Sequence, residues 1–166
     1  MTKRQFIIEV SSDRKIYGDF RTPDNPAGNP IIIFCHGFKG FKDWGGWQYG
    51  LDKICAAGFF TISTNFSHNG VGSDLENFTE LDKFEKNTIG LELEDLEILM
   101  DAVKNSDLFP ELSETKNTGL IGHSRGGAAA ILFASQHQHI KCLATWSSIS
   151  GFDKYLSQRM DWRKQG

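Results

Sequence analysis

A serine enclosed by glycines, in the stretch Gly122-His123-Ser124-Arg125-Gly126, constrains this chain more than any other feature. An apolar run leads into the stretch and an alanine-rich segment follows it, which together predict a strand, a sharp turn and a helix. So sharp a turn strains the backbone at the serine, and it closes only if the residues two positions away on either side lack a Cβ. Gly122 and Gly126 meet that condition. We therefore interpret the stretch as a nucleophile elbow, with Ser124 as the candidate nucleophile.

A second stretch indicates how such a serine would be assisted. The apolar run from Pro30 to Cys35 predicts a buried strand, and it ends at His36-Gly37-Phe38, where the glycine permits a tight turn over the strand end. Phe38 is then placed to offer a backbone N–H to an oxyanion. The N–H of Arg125 offers a second donor from the first turn of the following helix. These two N–H groups are the predicted oxyanion hole.

The two motifs, in this order, resemble those of the α/β-hydrolase superfamily. Within it, the run from His36 to Lys42, the run from Asn65 to Ser73 and the elbow are most similar to cinnamoyl or feruloyl esterase-like and dienelactone-hydrolase-like members. The resemblance implies an α/β three-layer sandwich with a mostly parallel sheet, and a serine hydrolase acting on carboxylic esters. It also implies that His36 holds the geometry of the oxyanion loop. Because the resemblance covers only the N-terminal two thirds of that fold, we expect the fold to be truncated after its sixth strand.

The general base and the orienting carboxylate of a catalytic triad are not evident in the sequence. In α/β-hydrolases both follow the serine, after later strands, and few residues follow Ser124 here. Successive residues of a strand point in opposite directions, so His123 is expected to brace the elbow. His68 is the histidine expected nearest the serine, with loop packing as its more ordinary role. Asp153 is a candidate acid without a partner histidine.

Composition narrows the partners and the compartment. The 166 residues carry a net charge of −3, with no basic stripe interleaved with aromatics, so nucleic acid is not an expected partner. No run reaches the roughly 18 apolar residues of a membrane span, and the N-terminal apolar segment is too short for a signal peptide. We therefore expect a cytoplasmic location and no membrane partner. Residues 1–166 are expected to form a single, partial domain. Its three cysteines are expected to be small buried hydrophobes: Cys35, Cys55 and Cys142.

No cofactor is expected either. The pair His137 and His139 could ligate a metal only with a third ligand nearby. No third ligand is evident nearby, so we assign no metal site. Both histidines lie beyond the helix that starts at the elbow, roughly 20 Å from the serine, so they are not expected to act as its base.

Periodicity predicts strands that alternate with helices. Residues 67–89 are expected to form a long polar loop, in which Phe78 and Phe84 either border the substrate or anchor the loop. The helix expected from Gly90 to Val103 has one apolar stripe and an acidic face, Asp95 included, that we expect to be solvated. The other expected elements are a hairpin (Gln5 to Val10 and Lys15 to Phe20), a helix within Lys42 to Ala57, a strand from Phe59 to Phe66, the elbow strand and its helix to about Gln136, a strand from Ile140 to Trp146, and a loop leading into a polar C-terminal helix.

Two functions from different classes remain open. In the first, the chain is part of a serine esterase with a small-molecule ester substrate, whose acyl group is received by Phe38, Phe41, Trp44 and Trp146. In the second, it is a catalytically inert hydrolase-like fragment or binding module that keeps the elbow for structure, since the triad acid and histidine are not evident. In both, the last predicted strand leaves an apolar edge unpaired, which predicts self-association near Ile140 to Trp146.

Overall fold

A six-stranded sheet with helices on both faces forms this molecule, whose computed structural model describes residues 1–105, 108–115 and 117–152. The strands are β1 (Thr2–Glu9), β2 (Lys15–Thr22), β3 (Ile31–Cys35), β4 (Phe60–Asn65), β5 (Thr118–His123) and β6 (Ile140–Trp146). The helices are α1 (Trp47–Ala56), α2 (Leu81–Lys86), α3 (Ile89–Asn105) and α4 (Arg125–Gln136), with short 3₁₀ turns at Gly72–Asp74 and Pro110–Leu112. No helix of the described ranges is long and apolar enough to cross a membrane.

The sheet has the strand order β1-β2-β4-β3-β5-β6. Strands β3, β4, β5 and β6 pair in parallel, whereas β1 pairs with β2, and β2 with β4, in antiparallel fashion. The parallel strands are joined through helices, as such connections require. This confirms the predicted α/β fold with an antiparallel N-terminal hairpin. It also brings the carboxyl ends of β3 and β5 side by side, with Cys35 opposite Gly122.

Two apolar layers, one on each face of the sheet, hold the helices. Residues of β3 alternate between them: Ile31 and Ile33 face α3 and α4, whereas Ile32 and Phe34 face α1. Because both faces are covered, β3 is buried throughout, as its unbroken apolar run predicts. The result is a three-layer sandwich whose central strands end beneath Ser124.

The structure gives the bounds of one predicted helix and corrects one predicted loop. Helix α1 lies within the predicted range and begins at Trp47, because Gly45 has a φ of +63°, which a helix does not contain. Residues 67–89 are not one loop, since α2 and a 3₁₀ turn lie within them. The predicted C-terminal helix lies outside the described residues, apart from its leading loop.

Two burial predictions were also wrong. Cys142 is exposed, because it lies on the outermost strand, β6, while Cys35 and Cys55 are buried as expected. Asp95 is only 3% exposed, not solvated. The hairpin between β1 and β2 folds over it, and Arg14 reaches its carboxylate at 2.8 Å. A residue on the polar side of α3 is thereby made part of the interior.

Candidate active site

Ser124 lies at the point where β5 ends and α4 begins. Its φ of +52° and ψ of −117° place it in a region that residues with a Cβ rarely adopt. Hydrogen bonds hold this conformation: the Ser124 N–H donates to the carbonyl of Trp146 at 2.9 Å, and its own carbonyl accepts from Gly127 at 3.0 Å. The serine is half-buried. The predicted strand, sharp turn and helix are therefore present around a strained serine.

Gly122 and Gly126 allow the chain to close around this turn. A Cβ on Gly122 would lie 2.5 Å from the carbonyl oxygen of Gly126, too close for any real Cβ. A Cβ on Gly126 would overlap the carbonyl groups of Cys35 and His36 at the end of β3. On each side of the serine, the atoms that a Cβ would meet belong to the backbone, which cannot move aside as a side chain can. Both positions therefore require glycine.

The loop after β3, residues 36–42, packs directly against the serine. A Cβ on Gly37 would lie 3.1 Å from the Ser124 Cβ and 3.0 Å from His123 Nδ1. The Gly40 N–H donates to the Gly37 carbonyl at 3.0 Å and closes a turn, with Lys39 at a φ of +55°. Phe38 lies at the tip of this turn and Arg125 follows the serine. The residue before Phe38 thus packs against Ser124, and Arg125 is the neighbour of the serine in sequence.

His36 is buried and is occupied by backbone partners. Its Nε2 accepts the N–H of Phe66 at 3.2 Å, so its proton is on Nδ1, which donates to the Gly37 carbonyl at 2.8 Å. Burial lowers the pKa of His36 to about 4, helped by the nearby charges of Arg125 and His123. The side chain is therefore a neutral link between loop 36–42 and the end of β4. It has no ring nitrogen left for proton transfer.

His123 points to the other face of the sheet from Ser124, as strand alternation predicts. Its ring packs on Trp47 with 4.9 Å between centroids, and Trp47 stacks in turn on Trp146 at 5.6 Å. Its Nδ1 faces Gly37. His123 therefore lies between α1 and loop 36–42, in the position expected of a brace.

Arg125 carries an ion pair that the sequence did not indicate. Its Nε donates to Glu92 Oε1 at 2.9 Å, and Asn87 Nδ2 donates to the same oxygen at 2.9 Å. Glu92 is 4% exposed, and burial raises the pKa of its carboxyl. The helical spacing of Glu92 from Leu96, Leu99 and Val103 was the available signal, since it puts the carboxylate on the core-facing stripe.

The hydrogen bonds of the remaining histidines go to other groups. His68 hydrogen-bonds Ser67 at 2.9 Å, and the charges acting on it belong to Asp95, Arg14, Lys83 and Asp13. Among the described residues we find no hydrogen bond between a histidine and the Ser124 hydroxyl. The candidate acid Asp153 lies outside the described residues.

His137 and His139 lie at the far end of α4, as predicted. His137 Nε2 bonds to Glu97 at 2.7 Å, and its ring stacks on Phe133. Within the described ranges, no group of three or more histidine, cysteine or carboxylate side chains is arranged to hold a metal ion.

The aromatic side chains near the serine form two separate groups. Phe38 contacts Phe84 of α2 at 5.3 Å and lies under the Arg125 guanidinium, while Phe84 also contacts Phe78. Trp146 instead stacks on Trp47 on the α1 face. Of the four residues predicted to line an acyl pocket, Phe38 and Trp146 thus belong to different groups. The Trp44 side chain is 52% exposed, and the Trp44 backbone N–H donates to the Phe41 carbonyl at 3.1 Å.

Sequence comparison identifies a distant relative. No family model matches the chain. It is 27% identical over 143 residues to an uncharacterized 31.7 kDa Escherichia coli protein from the traX-finO intergenic region, a match that includes 86% of this chain and 45% of that protein. The chain therefore spans about half the length of the curated relative it matches.

Solved structures of similar fold are hydrolases. An esterase of Pyrococcus furiosus superposes with a TM-score of 0.70 and 20% identity, over 99% of this chain and 59% of its own. Est1E of Butyrivibrio proteoclasticus, in a structure with ferulic acid bound, gives 0.65 and 21%, over 83% and 50%. A dienelactone hydrolase of Anabaena variabilis gives 0.66 and 19%, over 88% and 64%. Each of these chains is longer than the one described here.

Proposed function

We propose, from the α/β-hydrolase fold that this chain has, that it acts as a serine hydrolase on carboxylic esters, with Ser124 as its nucleophile. The observation that carries the proposal is the strained backbone of Ser124 between β5 and α4, with loop 36–42 packed against it. Surrounding backbone holds Ser124 at a φ of +52°, a conformation that costs free energy. Such strain is typical of functional sites.

The proposed reaction is acyl transfer to water. The Ser124 oxygen attacks the ester carbonyl, its proton passes to a base that we do not assign, and the alcohol leaves with a proton. The developing oxyanion accepts hydrogen bonds from the N–H groups of Phe38 and Arg125. Water then attacks the acyl-enzyme, which releases the acid and restores the serine.

An apolar acyl group fits the surroundings of the serine best. Phe38 and Phe84 form one aromatic pair, at the loop that packs against the serine, and Trp47 and Trp146 form another, next to His123. The bound ferulic acid of Est1E shows that one protein of this fold accepts an aromatic acid. We therefore propose a small ester with an aromatic or short aliphatic acyl group. We further propose a cytoplasmic location, which the free thiols of Cys35, Cys55 and Cys142 support.

Hydrolysis of a small chromogenic ester by the wild-type chain beside Ser124→Ala tests the proposal. Ser135→Ala is the matched control, because Ser135 is an exposed serine of the same helix α4. We expect turnover that is lost in Ser124→Ala and retained in Ser135→Ala. Labelling with a fluorophosphonate probe, followed by peptide mass analysis, should place the adduct on Ser124. Equal rates for all three proteins would overturn the assignment of Ser124.

The inert binding module is the second candidate, and one observation favours it. Within the described residues no hydrogen bond joins a histidine to the Ser124 hydroxyl, and backbone groups occupy both ring nitrogens of His36. Loss of a triad member leaves about 10³ to 10⁴-fold catalysis over water. On this alternative, the Ser124→Ala variant and the wild type bind an ester analogue equally well by calorimetry and neither turns it over.

A further inference from the structure

Loop 36–42 is fastened at both ends by buried polar contacts. At its start, His36 bonds to Gly37 and to Phe66, as described above. At its end, the Lys42 N–H donates to Asn65 Oδ1 at 2.7 Å, and its carbonyl accepts from Gln48 Nε2 at 2.9 Å. Both fastenings connect the loop to the carboxyl end of β4. Phe38 lies between these two sets of contacts in the sequence.

The Lys42 side chain is buried beneath α1 and not in solvent. Lys42 is 1% exposed, and its ammonium pairs with Asp19 Oδ2 at 3.0 Å and with Asp43. Asp19, on β2, is completely buried. Lysine is almost never buried unless it is paired, and removing two charges from water often costs more than their attraction returns. The pair is therefore better explained by the conformation it fixes than by net stability.

The carboxylate that receives Lys42 is itself held in place. Gln48 Nε2 donates to Asp19 Oδ2 at 3.3 Å, and Lys3 approaches the same oxygen at 3.1 Å. Arg21, also completely buried, bonds to Gln48 and reaches Asp52 of α1 at 2.7 Å. These bonds tie β2 to α1 around the Lys42 ammonium. The end of loop 36–42 is thus attached to two elements of the scaffold.

We infer that Lys42 is a positioning residue: its buried ion pair with Asp19 fixes loop 36–42 so that the Phe38 N–H is held beside Ser124. This inference rests on the proposed function for its catalytic consequence. Lys42 lies four residues from Phe38, and the turn closed by Gly37 and Gly40 transmits its placement. Oxyanion donors act only where they are preorganised at the position of the developing charge. A displaced loop would therefore weaken the transition state more than the bound substrate.

The effect expected of Lys42→Met is a loss in kcat without a matching change in KM. Removing one oxyanion donor costs about 10²- to 10³-fold in kcat, so a displaced donor is expected to cost roughly 10- to 100-fold. KM is expected to stay within about twofold, because a side chain buried under α1 does not face the substrate. Lys53→Met is the control, since Lys53 is an exposed lysine of α1.

A double variant separates positioning from stability. Lys42→Met alone leaves the buried Asp19 with only the partly exposed Lys3 as its cation, and the fold itself is at risk. Asp19→Asn combined with Lys42→Met removes both charges, so the variant does not leave one charge of this pair buried without the other. We expect the double variant to melt near the wild-type temperature and still to lose kcat. Recovery of kcat together with stability would overturn the positioning role.

Amide hydrogen exchange gives a measurement that needs no activity. In the double variant, the amides from Phe38 to Gly40 should exchange at least about tenfold faster, whereas Ile33 in β3 should be unchanged. Faster exchange throughout the chain, or no change in the loop, would overturn the inference. If Ser124→Ala equals the wild type in turnover, the proposed function fails by itself, and loop-selective exchange still decides whether Lys42 positions the loop.

Discussion

Three glycines mark the positions where backbone segments around Ser124 approach most closely. Gly37 lies against the serine side chain, Gly122 against the first turn of α4, and Gly126 against the end of β3. The neighbours of Gly122 and Gly126 are backbone atoms, which cannot rotate away as a long side chain can. The placement of the candidate nucleophile therefore depends on three residues that have no Cβ. The strain at Ser124 persists because this packing leaves the backbone no relaxed alternative.

Replacing Gly126 by alanine tests that close approach. The new Cβ would overlap the carbonyl groups of Cys35 and His36, so β3 and α4 must separate, and we expect a loss of about 3 kcal/mol in the free energy of unfolding. Gly50→Ala is the matched control. Gly50 lies within α1 with no atom within 4 Å of its Cβ position, so alanine should stabilise by about 0.5–1 kcal/mol. Urea denaturation measures both, and equal stabilities for the two variants would contradict the packing at Gly126.

His36 makes stability depend on pH in the acid range. Burial lowers its folded pKa to about 4, against about 6.5 unfolded, so between these values only the unfolded chain binds the proton. Stability should therefore fall as pH falls from about 6.5 to 4, by about 3 kcal/mol in total. Above pH 6.5 both states are neutral and this contribution is constant.

The comparison with His36→Asn isolates that effect. Burial raises the pKa values of Glu92 and Asp95, whose folded forms bind protons more readily than the unfolded forms and so act in the opposite sense. Both carboxyls are present in the variant, so the difference between the two stability curves belongs to His36. Urea denaturation at intervals from pH 7 to 4 should show the wild type losing more stability than the variant. Parallel curves would show that His36 is not buried as a neutral ring.

At the scale of elements, a guanidinium at the turn of the N-terminal hairpin connects that turn to α3 and to the loop after β4. Arg14, at the turn between β1 and β2, donates to Asp95 and Glu94 of α3 and to the Ser67 hydroxyl after β4. Asp95 also accepts the Ser67 N–H at 2.6 Å. One planar group with several donors thus joins the hairpin, α3 and the loop that follows β4. The same loop carries His68, which hydrogen-bonds the Ser67 side chain.

Arg14→Gln should therefore destabilise the whole domain. Asp95 would stay buried without its cation, a change that costs about 3–5 kcal/mol in comparable pairs, and Arg14→Lys should restore little because the ammonium lacks the planar fork. Lys15→Gln, which removes only the exposed pair with Glu9, should leave the melting temperature unchanged. Calorimetry of the three variants measures this, and a lysine variant as stable as the wild type would contradict the role given to the fork.

What sequence could predict at this scale was the local structure. The buried strand β3, the amphipathic helix α3 and the strand, turn and helix around Ser124 follow from periods of a few residues. The pairs that set the interior connect residues far apart, such as Arg14 with Asp95 and Lys42 with Asp19. No local pattern specifies such a partner, so the sequence alone does not distinguish Asp95 and Lys42 from solvated charged residues. The role of Ser124 stays a prediction, because its context fits but its base is not identified.

For the whole molecule, the two edges of the sheet differ. Strand β1 forms one edge and is lined with charged side chains such as Lys3, Arg4 and Glu9, which discourage pairing with another sheet. Strand β6 forms the other edge, and there Leu143 is 39% and Trp146 46% exposed. Ile131 and Leu132 of the neighbouring helix α4 are exposed as well. Exposed apolar side chains thus lie on β6 and on the helix beside it.

We expect the β6 edge to mediate self-association of the 166-residue chain. Two copies related by a twofold axis would pair their β6 strands and extend the sheet across both molecules, which satisfies the edge backbone and buries Leu143 and Trp146. Leu143→Lys should shift the association to higher protein concentration, because a charge would then be buried at the contact. Ile7→Lys is the matched control, since Ile7 is an exposed apolar residue of the opposite edge. Sedimentation equilibrium measures both, and a wild-type chain that stays monomeric, or an equal effect of the two lysines, would contradict association through β6.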